Sequence, residues 1–141
     1  HLPYARLAEA QRCGLGGAEL ICTNRDHAYP VEGRFLPGAG ATVAALEVAT
    51  GARALCIGKP EPYLFAEAIR WAGPGAGPVV VIGDSPEYDV VAAHKVGATA
   101  ILITTGLTDV ATASAATGEA TPDHVIGSLD ELFSLPELAG A

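Results

Sequence analysis

The sequence predicts an α/β protein built on parallel sheets, and three observations support this fold class. Short apolar runs alternate along the chain with segments of helical periodicity, which is the pattern of βαβ units. The run Val79–Ile82 is apolar at every position, as in a strand covered on both faces. The 17 glycines and 10 prolines are spread along the chain and separate these segments, which indicates frequent turns.

The first 58 residues contain two helical patterns and two short apolar runs. Val43, Leu46 and Ala49 recur at helical spacing, and Gly51 is placed to end that helix. A stretch with Pro30 between the two patterns has no clear periodicity. The predicted elements are a helix over 3–13, a strand over 18–22, an irregular segment through Gly33 and Pro37, a helix over 40–50 and a strand over 54–57.

The remaining residues show a more regular alternation. Leu64 and Ala68 belong to an apolar stripe along one helix. Ser85 is a candidate N-cap, and Pro86 suits the first position of the helix that follows. The predicted elements are helices over 61–72 and 86–96, strands over 79–82, 99–103 and 124–126, a less regular segment to about residue 122, and a final helix from a Ser128 cap to Phe133.

Charge and composition exclude several classes of partner. Eight basic and sixteen acidic residues give a net charge of −8, which repels nucleic acid and anionic membranes. No apolar run approaches the roughly 20 residues of a membrane helix. The three cysteines form no C-x-x-C pair. Cys22 and Cys56 lie in apolar runs, so we expect buried thiols in a reducing cytoplasm.

Three charged residues follow predicted strands, where parallel α/β proteins place their chemistry. Asp84 comes one residue after Val79–Ile82, and Asp89 lies five residues further on. Two carboxylates so placed can converge on one hard cation, although a helix cap and a surface acid would give the same pattern. Lys59 also ends a strand and can meet a phosphate there, or it is an ordinary solvated lysine.

Several motifs together resemble one enzyme family, the haloacid dehalogenase (HAD) superfamily phosphatases. The resemblance is to the C-terminal half of members with a large α/β cap (class IIA), such as the phosphoglycolate, pyridoxal phosphate and p-nitrophenyl phosphate phosphatases. It covers nearly the whole chain. The motifs are Gly58-Lys59-Pro60-Glu61-Pro62, the run from Val79 to Asp89, Gly97-Ala98-Thr99, Thr104-Thr105-Gly106, Thr23-Asn24-Arg25-Asp26, Leu36-Pro37-Gly38-Ala39-Gly40 and the run from Pro122 to Leu129.

The resemblance implies a Mg²⁺-dependent phosphomonoester hydrolase with a Rossmann-like, HAD-like core, acting on a small phosphorylated metabolite. It implies that Lys59 stabilises the nucleophile and the transferring phosphoryl group. It assigns Asp84 and Asp89 to the metal site. Ser85 lies in the same loop, and Asn24 and Asp26 lie in a cap loop near the substrate. Residues 1–58 would be half of the cap and residues 59–141 half of the core, and the family tends to form homo-oligomers through its cap.

Two departures from the family pattern bear on activity. Tyr88 stands where the family usually has Thr, and no Asp-x-Asp occurs anywhere in the chain. The family's nucleophile belongs to an N-terminal Asp-x-Asp motif, so the resemblance implies a chain that begins inside the cap. Without that carboxylate there is no covalent phosphoenzyme step, and we expect the chain alone to be inactive. The strand missing beside Val79–Ile82 would leave a sheet edge open.

Two other functions compete with the phosphatase. A non-catalytic half-domain that binds a partner or a phosphate ligand would share every motif above. A response-receiver-like regulator is also a parallel α/β protein with an acidic metal pocket, but it needs an acidic pair near its N-terminus. Only Glu9 and Glu19 are available there, which disfavours the regulator. An upstream Asp-x-Asp in the gene would separate the phosphatase from the binding module.

Overall fold

The structure, a computed structural model, describes residues 3–75 and 77–135. The chain divides into two units, His1–Gly58 and Lys59–Ala141, which are described separately. Their assignment to half of a cap and half of a core stays a prediction. In the described part of the chain, no helix is both long and apolar enough to cross a membrane.

The first unit combines two helices with two pairs of strands. Helices α1 and α2 pack against each other. In chain order the elements are α1 (Tyr4–Leu15), β1 (Ile21–Cys22), β2 (Ala28–Val31), β3 (Arg34–Pro37), α2 (Ala39–Thr50) and β4 (Leu55–Cys56).

Strands β1 and β4 form a short parallel pair, with Ile21 opposite Leu55 and Cys22 opposite Cys56. The apolar run over 18–22 is therefore a strand only at its last two residues. The small core beneath the pair consists of Cys22, Val43 and Cys56, with Ala54 packed against them. The predicted burial of both cysteines is confirmed.

The segment predicted to be irregular is an antiparallel hairpin of β2 and β3. Val31 pairs with Arg34, so the loop consists of Glu32 and Gly33, and Gly33 has a φ of +71°. A positive φ at the second loop position is typical of a type II turn, which favours glycine there. The prediction was wrong because a proline in each strand obscured the alternation expected of a strand.

The second unit is a three-stranded parallel sheet with helices. The sheet order is β5-β6-β7, so the sheet grows in chain order. The parallel α/β prediction is thereby confirmed. The elements are α3 (Tyr63–Ala72), β5 (Val80–Gly83), a π-helical turn (Pro86–Val90), α4 (Val91–Lys95), β6 (Thr99–Ile103), α5 (Val110–Ala115), a 3₁₀ turn (Gly118–Ala120), β7 (His124–Ile126) and a 3₁₀ helix (Leu129–Ser134).

The core of this unit lies between β6 and the segment that follows β5. It contains small and branched side chains packed against Leu102, which is fully buried. Strand β6 is therefore the buried strand, whereas β5 is only half covered and Ile82 is 42% exposed. The prediction that Val79–Ile82 is covered on both faces was wrong, because no residue of this run is buried and Ile82 is exposed.

Two helix starts differ from prediction. Neither Ser85 nor Ser128 makes a side-chain cap hydrogen bond, although Pro86 does begin the helical segment. Instead, Asp109 caps α5, because its carboxylate accepts a hydrogen bond of 2.8 Å from the Thr112 amide. The segment before residue 122 is thus more regular than the sequence indicated.

Candidate active site

The candidate site lies at the carboxyl end of β5, where the chain turns into the π-helical segment. Asp84 and Ser85 form the loop that follows the strand, and Asp89 belongs to the π-helical turn. Lys59 begins the same unit. Four of the residues singled out in the sequence, Lys59, Asp84, Ser85 and Asp89, are therefore brought together.

Lys59 and Asp89 form an ion pair, with 2.6 Å between Nζ and Oδ1. The Asp89 side chain is only 7% exposed, whereas that of Lys59 is 42% exposed. A buried carboxylate is costly without compensation, so the ammonium group stabilises Asp89 in its ionised form. The Lys59 side chain is thus only partly enclosed.

The other oxygen of Asp89 holds the loop after β5. Oδ2 accepts hydrogen bonds of 3.0 Å from the backbone amides of Asp84 and Ser85. Both Asp89 oxygens are thus engaged, one by Lys59 and one by two amides. In this arrangement Asp89 orients the lysine and the loop, and its assignment to the metal site stays a prediction.

Asp84 joins this loop to the segment after β6. Its Oδ2 accepts a hydrogen bond of 3.0 Å from the Leu107 amide, and its backbone carbonyl accepts one of 2.6 Å from the Thr108 hydroxyl. No described residue donates a hydrogen bond to Asp84 Oδ1. That oxygen belongs to a half-buried carboxylate and is available to a ligand.

Two glycines allow the carboxylates to sit this close to the backbone. A Cβ on Gly83 would collide with the side chain of Asp89, and a Cβ on Gly106 would collide with that of Asp84. Gly83 ends β5 and Gly106 lies three residues after β6, so at both positions the backbone passes close to a carboxylate without an intervening side chain.

The donor set fits Mg²⁺ only in part. Magnesium prefers oxygen ligands and is commonly held by one or two carboxylates, with water and substrate phosphate completing its shell. Asp84 Oδ1 provides one such oxygen. Among the described residues there is no cluster of three or more His, Cys, Asp or Glu side chains suited to a metal ion. Asp84 and Asp89 therefore remain the two residues predicted to hold Mg²⁺, and Asp84 is the one with an oxygen that accepts no hydrogen bond from a described residue.

A groove of about 410 Å³ opens beside β5 within the same unit. Apolar side chains of α3 and β5 line it, together with Lys59 and Asp89. An ion pair at the wall of an apolar groove experiences a lower dielectric than one in water, which strengthens its action on a bound anion. The lining residues are Lys59, Phe65, Ala68, Ile69, Val79–Ile82 and Asp89.

Asn24 and Asp26 lie in the first unit, in the loop between β1 and β2. The backbone carbonyl of Asp26 accepts a hydrogen bond of 2.9 Å from the Gly40 amide at the start of α2. Asn24 Oδ1 is buried and has no hydrogen-bond partner among the residues that the structure describes. The loop is thus held by its backbone against α2, and both candidate residues belong to it.

The sequence did not reveal Leu107 and Thr108, which donate hydrogen bonds to Asp84 from the segment that follows β6. They lie more than twenty residues away in the chain, and the β5–β6 pairing brings them together with Asp84. The Thr104-Thr105-Gly106 motif marks this strand tip, and the two residues follow it directly. Thr108 is also buried, which is unusual for a loop threonine and is explained by its hydrogen bond.

Three similar proteins are phosphatases. The chain is 36% identical to dihydroxyacetone phosphatase of Corynebacterium glutamicum (strain R) over 84% of its own length, and 33% identical to chronophin of Bos taurus over 94%. The structure of a glycerol phosphate phosphatase from Mycobacterium tuberculosis, in complex with magnesium, matches 92% of this chain with a TM-score of 0.84 and 32% identity.

In each comparison this chain spans less than half of the similar protein. It covers 42% of the Corynebacterium protein, 47% of the bovine protein and 39% of the mycobacterial chain. The family model for HAD-hydrolase-like proteins matches residues 56–132, which include Lys59, Asp84 and Asp89. That match covers more than half of the chain, and the chain belongs to the HAD-like hydrolase family.

Proposed function

We propose that this chain supplies the lysine and the metal-binding carboxylate of a Mg²⁺-dependent phosphomonoester hydrolase. The observation that carries the proposal is the constellation of Lys59, Asp89 and Asp84 at the end of β5. The substrate class is a small phosphorylated metabolite. The phosphatase names of the similar proteins support this class, although the activity and substrate of the whole protein stay part of the proposal.

Lys59 is assigned to the phosphoryl group. Its ammonium pairs with Asp89, and its side chain is 42% exposed, which supports contact with an anion from solvent. A fixed positive charge at that position stabilises the charge on the transferring group. Asp89 limits where the ammonium can go and is therefore a positioning residue.

Asp84 would hold Mg²⁺ through Oδ1 while the Leu107 amide fixes Oδ2. When bound, the ion neutralises charge on the phosphoryl oxygens. Ser85, whose amide is fixed by Asp89, would place its hydroxyl toward the phosphate. Asn24 and Asp26 are proposed as substrate-binding residues of the first unit, where Asn24 Oδ1, unpaired among the described residues, supports a polar ligand.

The nucleophile is not in this chain on our proposal, since no Asp-x-Asp occurs in its sequence. We expect the pure 141-residue chain to show no Mg²⁺-dependent turnover of p-nitrophenyl phosphate. We expect the gene to encode an Asp-x-Asp upstream, and the extended protein to be active. A gene without that motif would favour the alternative, a non-catalytic half-domain that binds a partner or a phosphate ligand.

The decisive test uses the extended protein. Lys59→Ala and Asp84→Asn should each lower kcat/KM for p-nitrophenyl phosphate at least about 10²-fold, the scale of losing one preorganised charge at a phosphoryl-transfer site. Lys95 is the other lysine in the chain and pairs with Glu61 at 3.3 Å. Lys95→Ala is therefore the matched control and should retain activity. Near-normal rates in either site variant would contradict the assignment.

A further inference from the structure

Two thiols lie opposite each other in the first unit, in a position that the proposed phosphatase function does not use. Cys22 of β1 and Cys56 of β4 are register partners in a parallel pair. They are only 8% and 7% exposed, whereas their strand neighbours Ile21 and Leu55 are exposed. Because side chains alternate along a strand, both thiols point to the same, inner face.

The distance between the two strands suits a covalent bridge. Paired strands lie about 4.8 Å apart, and the Cα atoms of a disulfide are usually about 4.4–6.8 Å apart. Each strand has only two residues, so the backbone can shift slightly to bring the two side chains closer together. The Leu55 amide donates to the Leu20 carbonyl at 2.8 Å, and the Ile57 amide donates to the Cys22 carbonyl at 2.9 Å.

We propose that Cys22 and Cys56 are an oxidation site that forms a reversible intramolecular disulfide, with a peroxide as the oxidant. One thiolate attacks a peroxide oxygen, the S–O bond forms, the O–O bond breaks, and the departing hydroxide takes up a proton to become water. The second sulfur attacks the sulfenic sulfur, the S–S bond forms and a second water leaves. The two sulfurs lose two electrons, which the peroxide accepts, and both thiol protons go to water.

The surroundings of the pair make the reaction slow at neutral pH. Burial raises the pKa of the Cys22 thiol, the neighbouring thiol of Cys56 raises it further, and the charge of Arg25 opposes these effects. Glu47, which lies against Arg25, adds to the increase. Because the thiolate is the reactive form, oxidation needs local opening of the pair or long exposure to the oxidant.

The bridge would also be reversible. Both sulfurs return to thiols when a reductant cleaves the S–S bond. Its formation would remove the thiol proton that Cys56 Sγ donates to the Gly58 carbonyl at 3.3 Å.

The test uses the full 141-residue chain with Cys13→Ser, because Cys13 is exposed and would form mixed products. The reduced protein is incubated with hydrogen peroxide and examined by intact mass and peptide mapping. We expect the loss of two hydrogens and a linked peptide pair containing Cys22 and Cys56. Dithiothreitol should reverse both changes. Hydrogen exchange at the Leu55 and Ile57 amides should slow in the oxidised protein, because the bridge ties β1 to β4.

Matched controls separate the bridge from general oxidation. In the same Cys13→Ser background, Cys22→Ser and Cys56→Ser should each gain oxygen or stay unchanged and never lose two hydrogens. Three results would overturn the proposal. The two thiols could both remain open to alkylation after oxidation, each could oxidise separately to sulfinic acid, or either could link to a second chain.

Discussion

Asp89 accounts for most of the internal order of the candidate site. A carboxylate this deeply buried needs compensating charge and hydrogen bonds, and it receives both from Lys59 and from the amides of Asp84 and Ser85. One side chain thus fixes the lysine and the loop that carries the metal-binding carboxylate. Loss of Asp89 would release both at once. The free-energy effect of substituting Asp89 should therefore not add to the effect of substituting Lys59 or Asp84.

Adding a single methyl group at Gly106 tests the position of Asp84. Gly106→Ala places a Cβ into the Asp84 carboxylate, which must move away from the Leu107 amide. Loss of a hydrogen bond to a charged group costs about 1.5–3 kcal/mol, so urea unfolding should show destabilisation of that order. The Leu107 amide signal should shift in NMR spectra.

Gly75→Ala is the matched control, because a Cβ at Gly75 meets nothing within 4 Å. Its unfolding midpoint should stay close to that of the unmodified chain. Equal stability of the Gly106 and Gly75 variants would mean that Asp84 is not held as described.

Glu47 gives the first unit a pH dependence. Arg25 donates to both of its oxygens and the Ala54 amide donates to one, which lowers the pKa of Glu47 from 4.5 to about 2. Because the folded pKa is below the unfolded value, the stabilisation is present above about pH 4.5 and is lost as the pH falls toward 2. We expect urea stability to decrease across that window.

The Glu47→Gln variant should be less stable than the unmodified chain at pH 6 and should lose less stability between pH 4.5 and pH 2. Glu19→Gln serves as its control, since Glu19 is an exposed residue of the same unit. If the Glu47 variant had the same slope with pH as the Glu19 variant, the Arg25 interaction would not be the cause.

At the residue scale, the sequence was sufficient to find charged residues at strand ends and insufficient to give their partners. Lys59 and Asp84 were found because each follows an apolar run. The contacts of Asp84 with Leu107 and Thr108 depend on how β5 and β6 align, and no local pattern encodes that alignment. For the same reason the sequence could not reveal that both Asp89 oxygens are already engaged.

At the scale of elements, apolar runs predicted the buried strand well and short paired strands poorly. Strand β6 matches its predicted bounds at Thr99 and Ile103 because its three central residues are buried and neither end residue is exposed. The hairpin of β2 and β3 was missed because its residues are mostly exposed and carry little hydrophobic periodicity. Its one clear local signal is Gly33, in a loop that lacks the usual Asn-Gly pair.

Gly33 also offers a clean test of the hairpin. Its φ is +71° and a Cβ there meets nothing within 4 Å, so a substitution is penalised by backbone conformation alone. Gly33→Ala should destabilise the first unit by about 1–2 kcal/mol, as measured by urea unfolding. Gly33→Asn should cost less, because asparagine tolerates this conformation. Equal costs for the two variants would mean that the loop has a different conformation.

At the scale of the molecule, the open side of β5 is the feature with the clearest consequence. In a parallel pair, alternate residues direct both backbone groups to the same neighbour. The Val79 carbonyl accepts a hydrogen bond from the Thr99 amide. The backbone N–H and C=O groups of Val79 and Val81 therefore point toward β6, whereas those of Val80 and Ile82 point away from it. Within the described residues no strand pairs with that second side. Its backbone groups lie beside the apolar groove, where unmet hydrogen bonds cost about 1–3 kcal/mol each.

We therefore expect the 141-residue chain to self-associate through β5, because an edge with unpaired backbone groups beside apolar side chains favours pairing with a second copy. The net charge of −8 opposes association, but salt at about 0.15 M screens it over roughly 8 Å. Light scattering at micromolar concentration should show dimers or larger species. Ile82→Lys should shift them toward monomer, whereas Val110→Lys, at an apolar and even more exposed site on α5, should not. A strictly monomeric, cooperatively unfolding chain would show that this edge is closed in solution.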